Sequence, residues 1–276
     1  TVFAFGEDGK IKIEIMITKE MKIQALQQMI NNGYINQKLY KYREVGKDTE
    51  KILTDHTLWF NHPQNFNDPF DCWANIQEIE REAFEKFVTE NSPSKYNADI
   101  CKNGIPSYTM DMLKQDIDRA LNEIGVCCFS KTKKSILMWS HYCKYHQGIC
   151  LEFDILEDPS FFTLANPVNY VDTMPIYDHF KEHKKLIEKI IQPKAKEWEY
   201  EEEVRVIKTA QDISRNNGSQ AFKFSPNALR KVFFGCKSQD ETIAKYKELC
   251  RRNGLSHVTF SKMYQKQNGQ FELEER

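Results

Sequence analysis

Isoleucine takes every second position in "KIKIEIMI" (10–17), with charged residues between as far as Glu14, a period of two that predicts a strand after the turn "GEDG". From Lys19 the period lengthens. Ile23, Leu26 and Ile30, with Met21, Ala25 and Met29, recur at three- and four-residue spacing, and Gly33 closes the predicted helix. "LYKYREV" (39–45) returns to period two, with Lys41 and Arg43 on one face and Tyr40 and Tyr42 on the other. "KDTEKILTD" predicts a short helix and "HTLWFN" another strand.

Helices are predicted at 79–91 and 108–124, the second burying Met112, Ile117, Leu121 and Ile124. "GVCCFS" (125–130) is almost wholly apolar, as a central strand is. Ser135 can cap a helix over "ILMWSHYCKYH" (136–146), which Gly148 ends before the strand "ICLEFDI". An amphipathic helix over 176–192 turns Phe180, Ile187 and Ile191 inward until Pro193 stops it. The strand "EEEVRVIK" (201–208) is followed by the strand "KVFFG", the helix "SQDETIAKYKELCRRNG" and the strand "HVTFSKMY". Strands and helices mix without a steady βαβ rhythm. The expectation is α+β: a single main domain over 39–276 with a mixed, partly antiparallel β-sheet and flanking helices, preceded by a strand–helix appendage at 1–38.

Composition narrows the function classes. The 276 residues are 40% hydrophobic with a net charge of −1, which fits a folded globule without a broadly basic surface. A nucleic-acid partner is therefore not favoured. Eight cysteines are scattered without a C-x-x-C pair, no signal-peptide pattern precedes them, and no apolar run reaches the roughly 18 residues that would span a bilayer. A cytoplasmic chain with reduced thiols and no membrane contact is expected. Cys143 and His146 lack a second ligand pair, so no metal site is expected there. "KTKK" and "KEHKK" read as solvated helix ends and faces.

Three clusters can carry chemistry. In "NFNDPFDCW" (65–73), Asp68, Pro69 and Asp71 nearly form a capping box, so the stretch reads as a helix or turn start that also lines a site with Asn67 and Asp68 facing inward. In "MWSHYCKYHQG", His141 and Tyr145 share a helix face while His141 and His146 do not, which argues against a two-histidine metal pair. Trp139 and Tyr142 suit a core as well as a stacking platform for a base or nicotinamide ring. In "WEYEEEVRVIK", read as a strand, Glu201, Glu203 and Arg205 share one face, either as a solvated edge strand or as a substrate-facing row.

In order, "LYKYR", "TLWF" with "FNDPFD", "CCFS", "MWSHY" with "HQGICLEF", and "WEYEEEVRVI" resemble the signature of a widespread bacterial family of uncharacterised domains, from about Leu39 to the end of the chain. Members of that family look like components of phage-defence or abortive-infection loci, which implies a defence effector. A deeper similarity is to the ADP-ribosyltransferases. "LYKYR", "TEKIL" and "TLWF" would match their opening elements, and Glu201-x-Glu203 their closing E-x-E. The resemblance implies NAD as a candidate substrate, no required cofactor, Glu203 as the catalytic glutamate on the nicotinamide ribose, and Arg43 or Lys41 on the pyrophosphate. The family's Ser-Thr-Ser element is missing, and "FNDPFD" would have to replace it.

The candidate site is thus Glu203, Glu201 and His141 as reacting groups, with Lys41, Arg43, Asn67, Asp68, Trp139, Tyr142 and Arg205 binding substrate. Two other readings stay open. A metal-dependent nuclease or phosphodiesterase would gather Asp68 or Asp71, Glu152, and Glu201 or Glu203 around Mg²⁺, with Lys41 or Arg205 near the phosphate. A non-enzymatic module would hold a nucleotide or a partner protein in an aromatic-lined cleft.

Overall fold

The computed structural model describes residues 2–5, 11–14, 18–91, 105, 107, 109–267 and 269–276. β1 (Val2–Phe5) and β2 (Ile11–Glu14) form an antiparallel hairpin; the predicted strand extends onto residues 10 and 15–17, outside the described residues. The strands that follow are β3 (Lys38–Arg43), β4 (Thr57–Trp59), β5 (Asn75–Ile76), β6 (Gly125–Ser130), β7 (Ile149–Asp154), β8 (Ala165–Pro167) and β9 (Asn169–Val171). After them come β10 (Ile176–Tyr177), β11 (Pro193–Ala195), β12 (Glu203–Lys208), β13 (Ala221–Lys223), β14 (Leu229–Phe234), β15 (Thr259–Gln265) and β16 (Leu273–Glu275).

Eight of these strands join in one sheet, in the order β16-β15-β14-β7-β3-β6-β12-β8. β14 and β15 run parallel and the other neighbours antiparallel, so the chain is α+β with a mixed, mostly antiparallel sheet, as its pattern predicts. One face packs on α1 (Lys19–Asn31), α2 (Lys47–Thr54) and the helix Asp240–Arg252 through Leu26, Ile52, Leu53, Tyr246 and Cys250. Leu39 of β3, Phe129 of β6 and Val204 of β12 belong to that core. Ile35, 1% exposed, joins it from just before β3. On the other face, Tyr40 and Tyr42 pack with Trp139 of the helix Ile136–Tyr142, and Ile207 packs with Leu113, Ile117 and Leu121. The helix Thr109–Asn122 therefore buries Leu113 where the pattern had favoured Met112, which is 53% exposed.

Three local predictions fail for identifiable reasons. The helix expected over 136–146 stops at Tyr142, because Lys144, Tyr145 and His146 all have left-handed φ (46°, 57° and 69°). Tyr145 is consequently turned out to solvent and shares no helix face with His141. The helix expected over 176–192 is broken because Ile176 and Tyr177 pair with β5 as the strand β10 and Asp178 starts a new turn by accepting from Phe180 N and Lys181 N; a short helix at His179–Glu182, a 3₁₀ turn and a π-helical turn at Ile187–Ile191 follow. The strand expected from Glu201 starts at Glu203: Lys196–Glu201 is a 3₁₀ turn closed by Glu202 with φ 44°. Nor is this an edge. β12 lies between β6 and β8.

The feature that shapes the molecule is a split in the sheet. β3 pairs with β7 over six residues, and β6 pairs with β12 over six, yet β3 meets β6 only at Tyr40 and Ser130. Four residues back along β6, Val126 is already taken: its N–H and C=O exchange hydrogen bonds with Asn61 at 2.8 and 2.9 Å. One strand edge cannot pair with two neighbours, so β3 diverges and a wedge opens between it, β6 and the segment leaving β4. Lys41 spans this wedge, its Nζ donating to the Cys128 carbonyl at 2.7 Å.

The root of β3 is tightly packed. A Cβ at Gly148 would overlap the Arg43 carbonyl oxygen and lie 2.8 Å from Cys143 Cα. Gly148→Ala is expected to destabilise the fold by about 1–3 kcal/mol, measured by urea denaturation, whereas Gly46→Ala, with nothing near its Cβ, is expected to be far milder.

Candidate functional site

The wedge encloses a cleft of about 850 Å³. Its β3 wall carries Lys41 and Arg43, and the far wall carries Ser130, Glu201, Glu203 and Lys194. Trp59, Phe66 and Asn67 line it as well, with Trp59 62% exposed. Lys41 and Arg43 leave β3 on the face opposite to Glu203 of β12. An unbroken sheet would keep them apart, and the split lets both walls line one space.

Lys41 and Arg43 face a wall rich in carboxylates, while Asp48, Lys51 and Asp55, on α2 and just after it, line the cleft as well. Lys41 bonds to a carbonyl and Arg43 Nε to Thr49 Oγ1 at 3.4 Å; among the described residues neither is paired with a carboxylate. Across from them, three carboxylates share two cations. Lys194 Nζ lies 2.5 Å from Glu201 Oε2, 2.9 Å from Glu203 Oε2 and 3.5 Å from Asp71 Oδ2. Arg205, 0% exposed, donates through Nε to Glu203 at 2.8 Å and through Nη2 to both oxygens of Asp71 at 2.7 and 2.8 Å. The surplus negative charge falls on Glu201, whose Oε1 accepts the Tyr142 hydroxyl at 2.6 Å.

Burial by itself would raise the Glu203 carboxyl, but Arg205 and Lys194 outweigh it and hold that group well below the usual carboxylate range. Burial pushes Glu201 upward, and the pull of Lys194 does not cancel it. Burial works against the charge of Lys194 too; Glu203, Glu201 and Asp71 override it and keep the ammonium protonated above the ordinary lysine range. Two glutamates two residues apart thus have different proton affinities, the usual condition for dividing acid–base and electrostatic roles.

Of the residues singled out from sequence, Lys41, Arg43, Asn67, Tyr142, Glu201 and Glu203 line the cleft. Arg205 stands behind Glu203 and does not reach the surface. Asp68 turns the other way: it accepts Trp198 Nε1 at 2.7 Å and caps Phe70 N at 2.9 Å, so "NDPFD" is a turn and not a helix start. Trp139 is fully buried, its indole N–H bonded to the Lys133 carbonyl at 2.8 Å. His141 is exposed, 3.1 Å from the Tyr200 hydroxyl, and lines no part of the cleft. Glu152 lies on the tyrosine face of β7 and pairs with Lys38 at 2.9 Å. Among the described residues, no three His, Cys, Asp or Glu side chains are placed to hold a metal ion. Lys194 escaped the sequence reading. It follows Pro193 in no recognisable motif, and the one hint of it is the excess of acids in "WEYEEEVR" that some cation had to meet.

The network should separate the two glutamates in stability. Glu203→Gln leaves Arg205 short of a buried partner and is expected to cost about 3 kcal/mol at pH 7. Glu201→Gln removes the surplus charge and is expected to cost about 1 kcal/mol or less. Since the folded value of Glu203 is depressed, its contribution is complete above the unfolded carboxyl value near 4.5 and is lost as pH falls from there toward the folded value. Urea melts of wild type and Glu203→Gln should therefore converge below about pH 4.5.

Residues 138–206 match a family model described as a protein of unknown function, DUF2971. That span is similar to an uncharacterised domain family, and it holds Lys194, Glu201, Glu203 and Arg205 but neither Lys41 nor Asp71. No curated protein and no solved structure matches the chain. No described helix is long and apolar enough to cross a membrane.

Proposed function

We propose that the chain is an NAD-consuming transferase of the ADP-ribosyltransferase type, acting as a cytoplasmic effector in phage defence. What supports this reading above all is the polarity of the cleft: Lys41 and Arg43, without a carboxylate partner among the described residues, on one wall, and three carboxylates sharing two cations on the other. Oxidised NAD has matching halves, an anionic pyrophosphate and a cationic nicotinamide riboside. Trp59 offers an exposed indole face for stacking at the mouth.

In this scheme the bond from ribose C1′ to the nicotinamide nitrogen breaks, and nicotinamide leaves neutral with the bonding electrons. Glu203, kept ionised by its cations, stabilises the oxocarbenium-like centre. Glu201, with the higher proton affinity, takes the proton of the attacking hydroxyl or amine. A second reading is favoured by one observation. Glu203 is already neutralised by Lys194 and Arg205, which suits a module that binds a nucleotide without turnover.

The test is nicotinamide release, followed by mass spectrometry, from NAD incubated with purified protein and a bacterial extract. EDTA-resistant release that drops about 100-fold in Glu201→Gln and in Glu203→Gln is expected. Retained NAD binding without release by wild type would favour the binding module. Undiminished release by both variants would overturn the assignment of the glutamates.

A further inference from the structure

Behind the loop that carries Asn67 and Asp71 lies a second hollow of about 80 Å³. At about a tenth of the volume of the cleft, it has room for one side chain and none for a nucleotide. Phe70 and Trp73 form its outer wall and are 61% and 52% exposed. Pro175 and Pro193 contribute further apolar surface, and Asp172 and Glu197 supply carboxylates at the rim. Large aromatic rings left in water beside carboxylates are the surface on which a cationic side chain binds best.

Among the described residues, no cation lies over the Phe70 or Trp73 ring. Lys194 lines the hollow, but its ammonium points into the carboxylate network, leaving the aliphatic stem as wall. Lys196 meets Asp172 at 3.5 Å, with both side chains more than half exposed, a contact worth little in water. Glu197 has no ion-pair partner among the described residues. We infer that this hollow receives an arginine side chain of a protein partner. The guanidinium stacks on Trp73 and pairs with Glu197, and the methylenes lie along Phe70 and Pro175. This goes beyond the transferase reading and does not require it. If that reading holds, the shared Lys194 wall sets the partner beside the cleft, where an acceptor protein would be.

The test is fluorescence anisotropy of a labelled arginine-rich peptide against the same peptide with citrulline at each arginine, at about 150 mM ionic strength. Binding of the arginine peptide alone is expected, weakened about tenfold or more by Trp73→Ala and by Glu197→Gln and unchanged by Trp59→Ala in the cleft. Circular dichroism confirms that the variants fold. Equal binding of the citrulline peptide, or binding indifferent to both Trp73→Ala and Glu197→Gln, would overturn the inference. So would a wild-type dimer in light scattering that Trp73→Ala makes monomeric, since a second copy would then cover the hollow. Failure of NAD turnover would leave this result untouched.

Discussion

The structure depends on one buried ionic network: Arg205 between Glu203 and Asp71, and Lys194 between Glu203 and Glu201. Five charges out of water are tolerable only because each has a partner at hydrogen-bond distance, with Tyr142 and the Ile191 carbonyl satisfying further sites. The network ties together four segments far apart in sequence: the turn at Asp71, the strand β11, the 3₁₀ turn ending at Glu201, and β12. It also sets the chemistry of the cleft wall, since burial leaves the Glu201 carboxyl raised while Arg205 and Lys194 overcome burial at Glu203 and draw that carboxyl down.

The split between β3 and β6 supplies the other half. Strands alternate their side chains between faces, so the cations of β3 and Glu203 of β12, facing opposite ways, cannot meet over a continuous sheet. Where Asn61 takes over the edge of β6, the ladder stops and the two faces communicate through the opening. The register also sets Tyr40, Ser130 and Glu203 side by side on three adjacent strands at the closed end of the wedge.

Much of the fold was legible in the chain. Period-two alternation located β3 and the correct faces of Lys41 and Arg43, and the apolar run "GVCCFS" located a central strand. Failures came where backbone conformation departs from the pattern. Nothing in "KYH" announces three successive left-handed residues, and the glutamate run reads as continuous alternation although Glu202 breaks it. The site was half legible. The carboxylates and β3 cations stood in recognisable motifs, whereas Lys194 acquires its importance only from long-range packing. Asp68 and Asp71 show the same limit: three residues apart in one turn, they serve Trp198 and Arg205 respectively.

The central claim is that a polarised cleft in a split sheet binds an oxidised dinucleotide. Isothermal titration calorimetry of NAD and NADH against wild type and Lys41→Met tests it most directly. The account predicts that NAD binds more tightly than NADH and that Lys41→Met weakens NAD by about tenfold, the loss of one charge-assisted contact. Equal affinity for both dinucleotides, or an NAD affinity indifferent to Lys41, would contradict it.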